Sequence, residues 1–112
     1  MEYKYFKPNE IISLDPYLVY LLDLARDIAG IPFVITSGYR TKEKNLKVGG
    51  VEDSAHLSGK AADLRCRNSV ERFIMVDSLL AAGFKRIGFG AGHIHVDIDD
   101  EKPQNVMFIE HA

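Results

Sequence analysis

The sequence predicts an α+β fold: a small, mainly antiparallel sheet with two main helices packed on one of its faces. Three observations carry this expectation. Two stretches repeat apolar residues at helical spacing between start and stop signals. Several short runs of Val, Ile, Leu, Ala and Phe, bounded by Gly, Pro and Asn, read as strands. Gly90-Ala-Gly92 joins two of those runs as a hairpin. The chain has 112 residues, 46% apolar and 27% charged, with no repeat or linker, so residues 1–112 are expected to form one domain.

Met1 to Ser13 mixes polar and aromatic residues, with Pro8-Asn-Glu10 as a turn or short helical start. Tyr3, Tyr5 and Phe6 are expected to cover one edge of the core. Asp15 and Pro16 open the first helix, because the carboxylate can accept from free amides and proline suits the first helical position. Leu18, Leu21, Leu22, Ala25 and Ile28 form its apolar stripe, Asp23, Arg26 and Asp27 face water, and Gly30 ends it. Pro32–Thr36 is a short buried strand that delivers Ser37-Gly-Tyr-Arg40 at its end. Thr41 caps a short helix, Lys42–Lys47, which Val48-Gly-Gly50 breaks.

Gly59 allows a tight bend before the next strand, Ala61–Cys66. Ser69 caps the second main helix, Val70–Ala82, with Phe73, Ile74, Val76 and Leu80 facing inward and Gly83 at its end. Phe84–Phe89 and His93–Ile98 form the hairpin. Ile94, Val96 and Ile98 point to the core, and His93, His95, Asp97 and Asp99 point to the opposite, non-core face. Pro103 breaks the chain, and Val106–Ile109 adds a last edge strand.

Composition excludes several function classes. A net charge of −2 with no basic stripe argues against a nucleic-acid partner. No segment approaches a membrane span, and the first residues hold no apolar run of signal-peptide length. The protein is therefore expected to be cytoplasmic as made, a monomer, and able to meet an extracellular substrate by release, as a phage lysin is. The one cysteine, Cys66, has the opposite strand parity to Asp63 and reads as a small buried hydrophobe.

The chemistry concentrates in Ser54-Ala-His-Leu-Ser-Gly-Lys-Ala-Ala-Asp63 and His93-Ile-His95. Residues two apart on a strand share a face, so His93 and His95 project together. His56, Asp63 and one of the paired histidines supply the three protein ligands of a catalytic zinc site, and two imidazoles with a carboxylate suit Zn2+ better than Mg2+ or Ca2+. Spacing alone does not choose between His93 and His95.

Ser37-Gly-Tyr-Arg40, Gly49-Gly-Val-Glu-Asp-Ser-Ala-His-Leu-Ser-Gly-Lys-Ala-Ala-Asp63 and Gly88-Phe-Gly-Ala-Gly-His-Ile-His-Val-Asp97, in that order, resemble the zinc D-Ala-D-Ala carboxypeptidase and murein peptidase family. That family includes bacterial D,D-carboxypeptidases and phage endolysins, and it shares its fold with lysostaphin-type peptidases and the hedgehog signalling domain. The resemblance runs from about Phe33 to Asp97, with a weaker echo in the first helix. It implies one Zn2+ held by His56, Asp63 and His95, on the sheet face away from the helices.

By the same resemblance His93 is a general base or a stabiliser of the tetrahedral intermediate, unless it is structural. Related enzymes with a Glu-x-x-His segment differ here, because His93-Ile-His95 stands in its place. Arg40 is expected to hold a substrate carbonyl or carboxylate, with a structural ion pair as the alternative. Asp97 either accepts the second N–H of a ligand histidine or is a solvated acid. Ser54 steadies its loop or contacts substrate, and Tyr39 lines the cleft or packs. Glu52, Asp53 and His111 read as solvated surface. The implied function is hydrolysis of an amide in peptidoglycan stem peptides, first as a D-Ala-D-Ala carboxypeptidase. A murein endopeptidase, a non-catalytic zinc-binding module and a metal-free partner-binding patch are the alternatives.

Overall fold

The structure is a computed structural model and describes residues 2–110, so His111 lies outside the described residues. Its elements are α1 (Pro16–Ala29), β1 (Ile35–Ser37), α2 (Lys42–Lys47), β2 (Ala61–Arg65), α3 (Ser69–Ala82), β3 (Arg86–Phe89), β4 (His93–Asp97) and β5 (Val106–Ile109), with 3-10 turns at Pro8–Glu10 and Ala55–Ser58. The strands form one sheet in the order β1-β2-β4-β3-β5. Every pairing is antiparallel except β3 with β5, which is parallel. The expected α+β class with a mainly antiparallel sheet and two main helices is what forms.

Helix α1 begins and ends as its sequence signals require. The Asp15 carboxylate accepts from the Tyr17 N–H at 2.8 Å, and Gly30 closes the helix at φ 70°. Its buried stripe is Leu18, Val19, Leu21, Leu22 and Ala25. Ile28, expected inside, is 48% exposed, because the stripe has rotated past the packed face by the last turn. Asp23 does not simply face water. Its two oxygens accept from the backbone N–H groups of Lys4 and Tyr5 at 3.0 and 2.8 Å, which ties the N-terminal segment to α1 and seats Phe6 in the core.

Helix α3 departs furthest from expectation. Asn68, not Ser69, is its cap, accepting from the Glu71 N–H at 2.9 Å. Its inward residues are Met75, Ser78, Leu79 and Ala82, whereas Phe73 is 76% exposed and Leu80 is exposed as well. Small side chains at 78 and 82 let α3 lie close against α1, and Ser78 satisfies its hydroxyl on the Met75 carbonyl at 2.9 Å. A phenylalanine in that seam would hold the helices apart.

Strand β1 is shorter and less buried than the expected run from Pro32. It is the sheet edge, with Phe33 buried just before it and Thr36 exposed. In the middle strands the alternation holds. Ala62, Leu64, Ile94, Val96 and Ile87 enter the core shared with α1 and α3. Cys66 joins that core, as its parity predicts. The opposite face carries Asp63, His95, Asp97 and Gly88, and it is covered rather than solvated: His95 and Asp97 are buried beneath loops and Phe108.

Candidate metal centre

Register brings the donors together. The antiparallel pairing of β2 with β4 sets Asp63 opposite His95 and Ala61 opposite Asp97. His56 arrives from the 3-10 turn Ala55–Ser58. The Ser54 hydroxyl caps that turn by accepting from the His56 N–H at 3.3 Å, and Gly59 closes it at φ 74°. A Cβ at Gly59 would lie 2.2 Å from the Ser13 carbonyl oxygen, so only glycine lets the turn sit against the start of α1.

The hydrogen bonds around the rings fix which atoms face inward. A carbonyl can only accept, so the His56 Nδ1–H donates to Gly38 O at 2.7 Å, and Nε2 is left with its lone pair. That Nε2 is buried without a hydrogen-bond partner, 3.3 Å from Asp63 Oδ1. His95 Nε2 meets Asp97 Oδ2 at 2.6 Å, and its Nδ1 faces Asp63 Oδ1 at 3.1 Å. One donor atom from each of His56, Asp63 and His95 lies within 4.8 Å of the others. Two imidazole nitrogens and a carboxylate oxygen, one of them an orphaned buried atom, fit a zinc-type ion.

Charge is balanced tightly here. Burial pushes the Asp63 carboxyl up, but the imidazoles packed against it, with the hydrogen bond from His95, outweigh burial and hold the group far below the usual carboxylate range. Burial likewise disfavours charge on His95, yet Asp63 and Asp97 raise its pKa to about 9. For Asp97, burial acts upward and is overcome chiefly by His95, with Arg86 also contributing, so this acid too is lowered.

A shell of side chains supports these groups. Arg40 donates from Nε to Ser37 Oγ at 3.1 Å, from one terminal nitrogen to Asn45 Oδ1 at 3.2 Å and from the other to Asp63 Oδ2 at 3.3 Å. Arg86 donates from Nε to both Asp97 oxygens, at 3.1 and 3.2 Å, and its guanidinium lies 4.9 Å from the Phe108 ring centre. Lys102 donates to Asp99 Oδ2 at 2.7 Å and to the Asp53 carbonyl at 2.5 Å, joining two loops. These groups border a cleft of about 420 Å³ that reaches Glu110, Phe108 and Gly50.

The structure therefore brings His56, Asp63, His95, Arg40, Asp97 and Ser54 together. Tyr39 is exposed and stands outside the cleft lining. His93 lies at the margin, its Nε2 2.7 Å from Glu110 Oε1 and 4.0 Å from Asp63 Oδ2. Asp63, His93 and Glu110 make a second group of donor atoms within 4.8 Å. Sequence reasoning missed Arg86, Asn45, Phe108 and Glu110. Strand parity carried a signal for three of them, since Arg86 shares a face with Gly88, and Phe108 alternates with exposed neighbours and is followed two residues later by Glu110. Asn45, buried on α2, carried none.

A search of curated proteins finds no match to this chain. Among solved structures, the crystal structure of the Serratia marcescens L-Ala D-Glu endopeptidase ChiX matches with a TM-score of 0.65 over 83% of this chain and 86% of that one. At 17% identity this likeness is one of fold. The family description "Peptidase M15" matches residues 5–99, a span that contains His56, Asp63, His93, His95 and Arg40. The chain belongs to the M15 peptidase family, the group of D-Ala-D-Ala and murein peptidases that its three motifs resemble.

Proposed function

We propose that this protein is a zinc-dependent peptidase that hydrolyses amide bonds within peptidoglycan stem peptides, with His56, Asp63 and His95 holding one ion per chain and residues 1–112 acting as one catalytic domain. The observation that best supports the ligand set is the buried, unpartnered Nε2 of His56 beside His95 Nδ1 and Asp63 Oδ1. A bound zinc ion lowers the pKa of its water to about 7 and polarises a carbonyl. The chain's own residues keep the donors aimed. Gly38 holds His56, Asp97 holds His95, and Arg40 holds the second oxygen of Asp63. Arg40 thus serves first to orient a ligand, with its remaining N–H groups directed to substrate.

The bond cut is internal on this reading. A carboxypeptidase recognises the terminal carboxylate of its substrate, most directly with an uncommitted cation. Among the described residues lining the cleft, the Lys and Arg side chains are Arg40, Arg86 and Lys102, and each already faces a carboxylate: Asp63, Asp97 and Asp99. This supports an endopeptidase over removal of a terminal D-Ala. The like-folded Serratia protein, an L-Ala D-Glu endopeptidase, is in keeping with that choice.

Digestion of purified muropeptides by the zinc-loaded protein, with product masses read against a chelated control, tests the proposal. An internal cut is expected. Loss of a single D-Ala would make it a carboxypeptidase, and one bound zinc without any product would make it a binding module.

A further inference from the structure

We infer that Glu110 is the proton acceptor of the hydrolysis and that His93 is its positioning residue. The inference rests on the peptidase reading above and exchanges the roles that the His-x-His motif suggests.

The hydrogen bond between the two residues decides the matter. Glu110 Oε1 lies 2.7 Å from His93 Nε2, and a carboxylate only accepts, so Nε2 carries the proton. That nitrogen is also the one nearest the donor cluster, 4.0 Å from Asp63 Oδ2. It has no lone pair with which to take a proton from water. The ring is packed against its own hairpin. A Cβ on Gly90 would fall 2.1 Å from His93 Cε1, 2.5 Å from Nδ1 and 2.6 Å from Nε2, so the ring occupies the space that glycine leaves. His93 is held by its own turn and presents an N–H.

Glu110 has the complementary placement. Its backbone N–H donates to the Phe89 carbonyl at 2.9 Å, which continues the β3–β5 ladder and fixes the residue at the strand end. Glu110 borders the cleft. One of its oxygens lies within 4.8 Å of an Asp63 oxygen, a gap that one water can bridge. Glu110 also lies beyond residues 5–99, which the family description covers.

In the step so assigned, water gives one proton to a Glu110 oxygen as its own oxygen bonds to the scissile carbonyl carbon. The C–N bond then breaks, and Glu110 passes the proton to the leaving nitrogen. One water is consumed, and a carboxyl and an amino terminus are released.

Glu110→Gln keeps the shape and removes the basicity. On a muropeptide that the wild type cleaves, this variant is expected to lose about 10²–10⁴-fold in kcat, with KM and zinc content unchanged. His93→Ala should lose less, and the double variant should be no worse than Glu110→Gln, because the two act as a unit. Nitrogen NMR of the metal-free protein, which needs no substrate, should show His93 as the Nε2–H tautomer.

Wild-type kcat in Glu110→Gln, or the Nδ1–H tautomer, overturns the assignment. A fall in zinc content in Glu110→Gln overturns it too, by making Glu110 a ligand within the second donor group. A wild type inert on every muropeptide overturns the peptidase reading and this role with it, whereas the tautomer still reports on the pair alone.

Discussion

Zinc binding should strengthen with pH well above the ordinary histidine range and should release a proton as it does so. His95 is buried, which disfavours its charge, but Asp63 and Asp97 outweigh this and raise its pKa to about 9. The proton to be displaced sits on Nδ1, the nitrogen that faces Asp63. At about pH 7 the ring is about two pKa units on the protonated side, which weakens apparent affinity about 100-fold. Asp63 is already ionised at that pH and adds no slope.

The apparent binding constant should therefore rise about tenfold per pH unit from about pH 7 and level off near 9. Competition against a zinc-buffering chelator at fixed ionic strength measures the slope. Calorimetry in two buffers of different ionisation enthalpy counts the proton, with about one released near pH 7.5. A flat affinity from about pH 7 to 8.5 with no proton released would refute the reasoning.

The metal-free protein should show the opposite sign. His95, with its raised pKa, contributes stability that is complete below about pH 6.5 and lost as pH rises through about 9. Asp63, with its lowered pKa, contributes stability that is present above about pH 4 and lost as pH falls. Urea unfolding of the metal-free protein across this range measures both limbs. Two further predictions concern packing. A Cβ on Gly50 would lie 2.0 Å from Asn45 Oδ1 and 3.1 Å from an Arg40 nitrogen, so Gly50→Ala should unseat Asn45, loosen the Arg40–Asp63 bracket and cost about 1–3 kcal/mol in urea unfolding. It should also weaken zinc binding, and unchanged affinity would mean that Arg40 does not steady Asp63. On α3, Met75→Ala should cost about 2–5 kcal/mol, while Phe73→Ser should stay within about 0.5 kcal/mol. Equal costs in denaturant unfolding would place the helix on the wrong face.

The parts of the fold that local chemistry decides were legible in the chain. Asp15, Pro16 and Gly30 bound α1 because capping and left-handed closure involve only neighbouring residues. The shared face of His95 and Asp97 follows from strand parity, which is also local, whereas Asp63 joins it through the alignment of β2 with β4. The face of α3 was not legible. Bulky apolar residues lie all round that helix, and the choice of Met75, Ser78, Leu79 and Ala82 is made by the close approach of α1, a tertiary matter.

The motif residues of the site were legible, but their partners were not. Asn45 and Arg86 meet Arg40 and Asp97 only after loops and strands far apart in the chain have docked. The strand β5 was expected, but its parallel pairing with β3, which carries Glu110 to the cleft, depends on how the chain after Pro103 returns.

The pairing of Asp63 with His95 across β2 and β4 has a consequence for how the chain finds its native state. The inner face and the outer face of these strands alternate residue by residue, so a slip of one position would turn either Asp63 or His95 toward α1 and α3. Such a misaligned state would turn Ala62 and Leu64, or Ile94 and Val96, out of the core and would also lose the converging donors. A cation present during folding would then lower the free energy of the correct alignment alone, by an amount set by its concentration relative to its dissociation constant. The ion would act as a proofreader of strand alignment before it served any chemistry, and refolding yield with and without it would measure that selection.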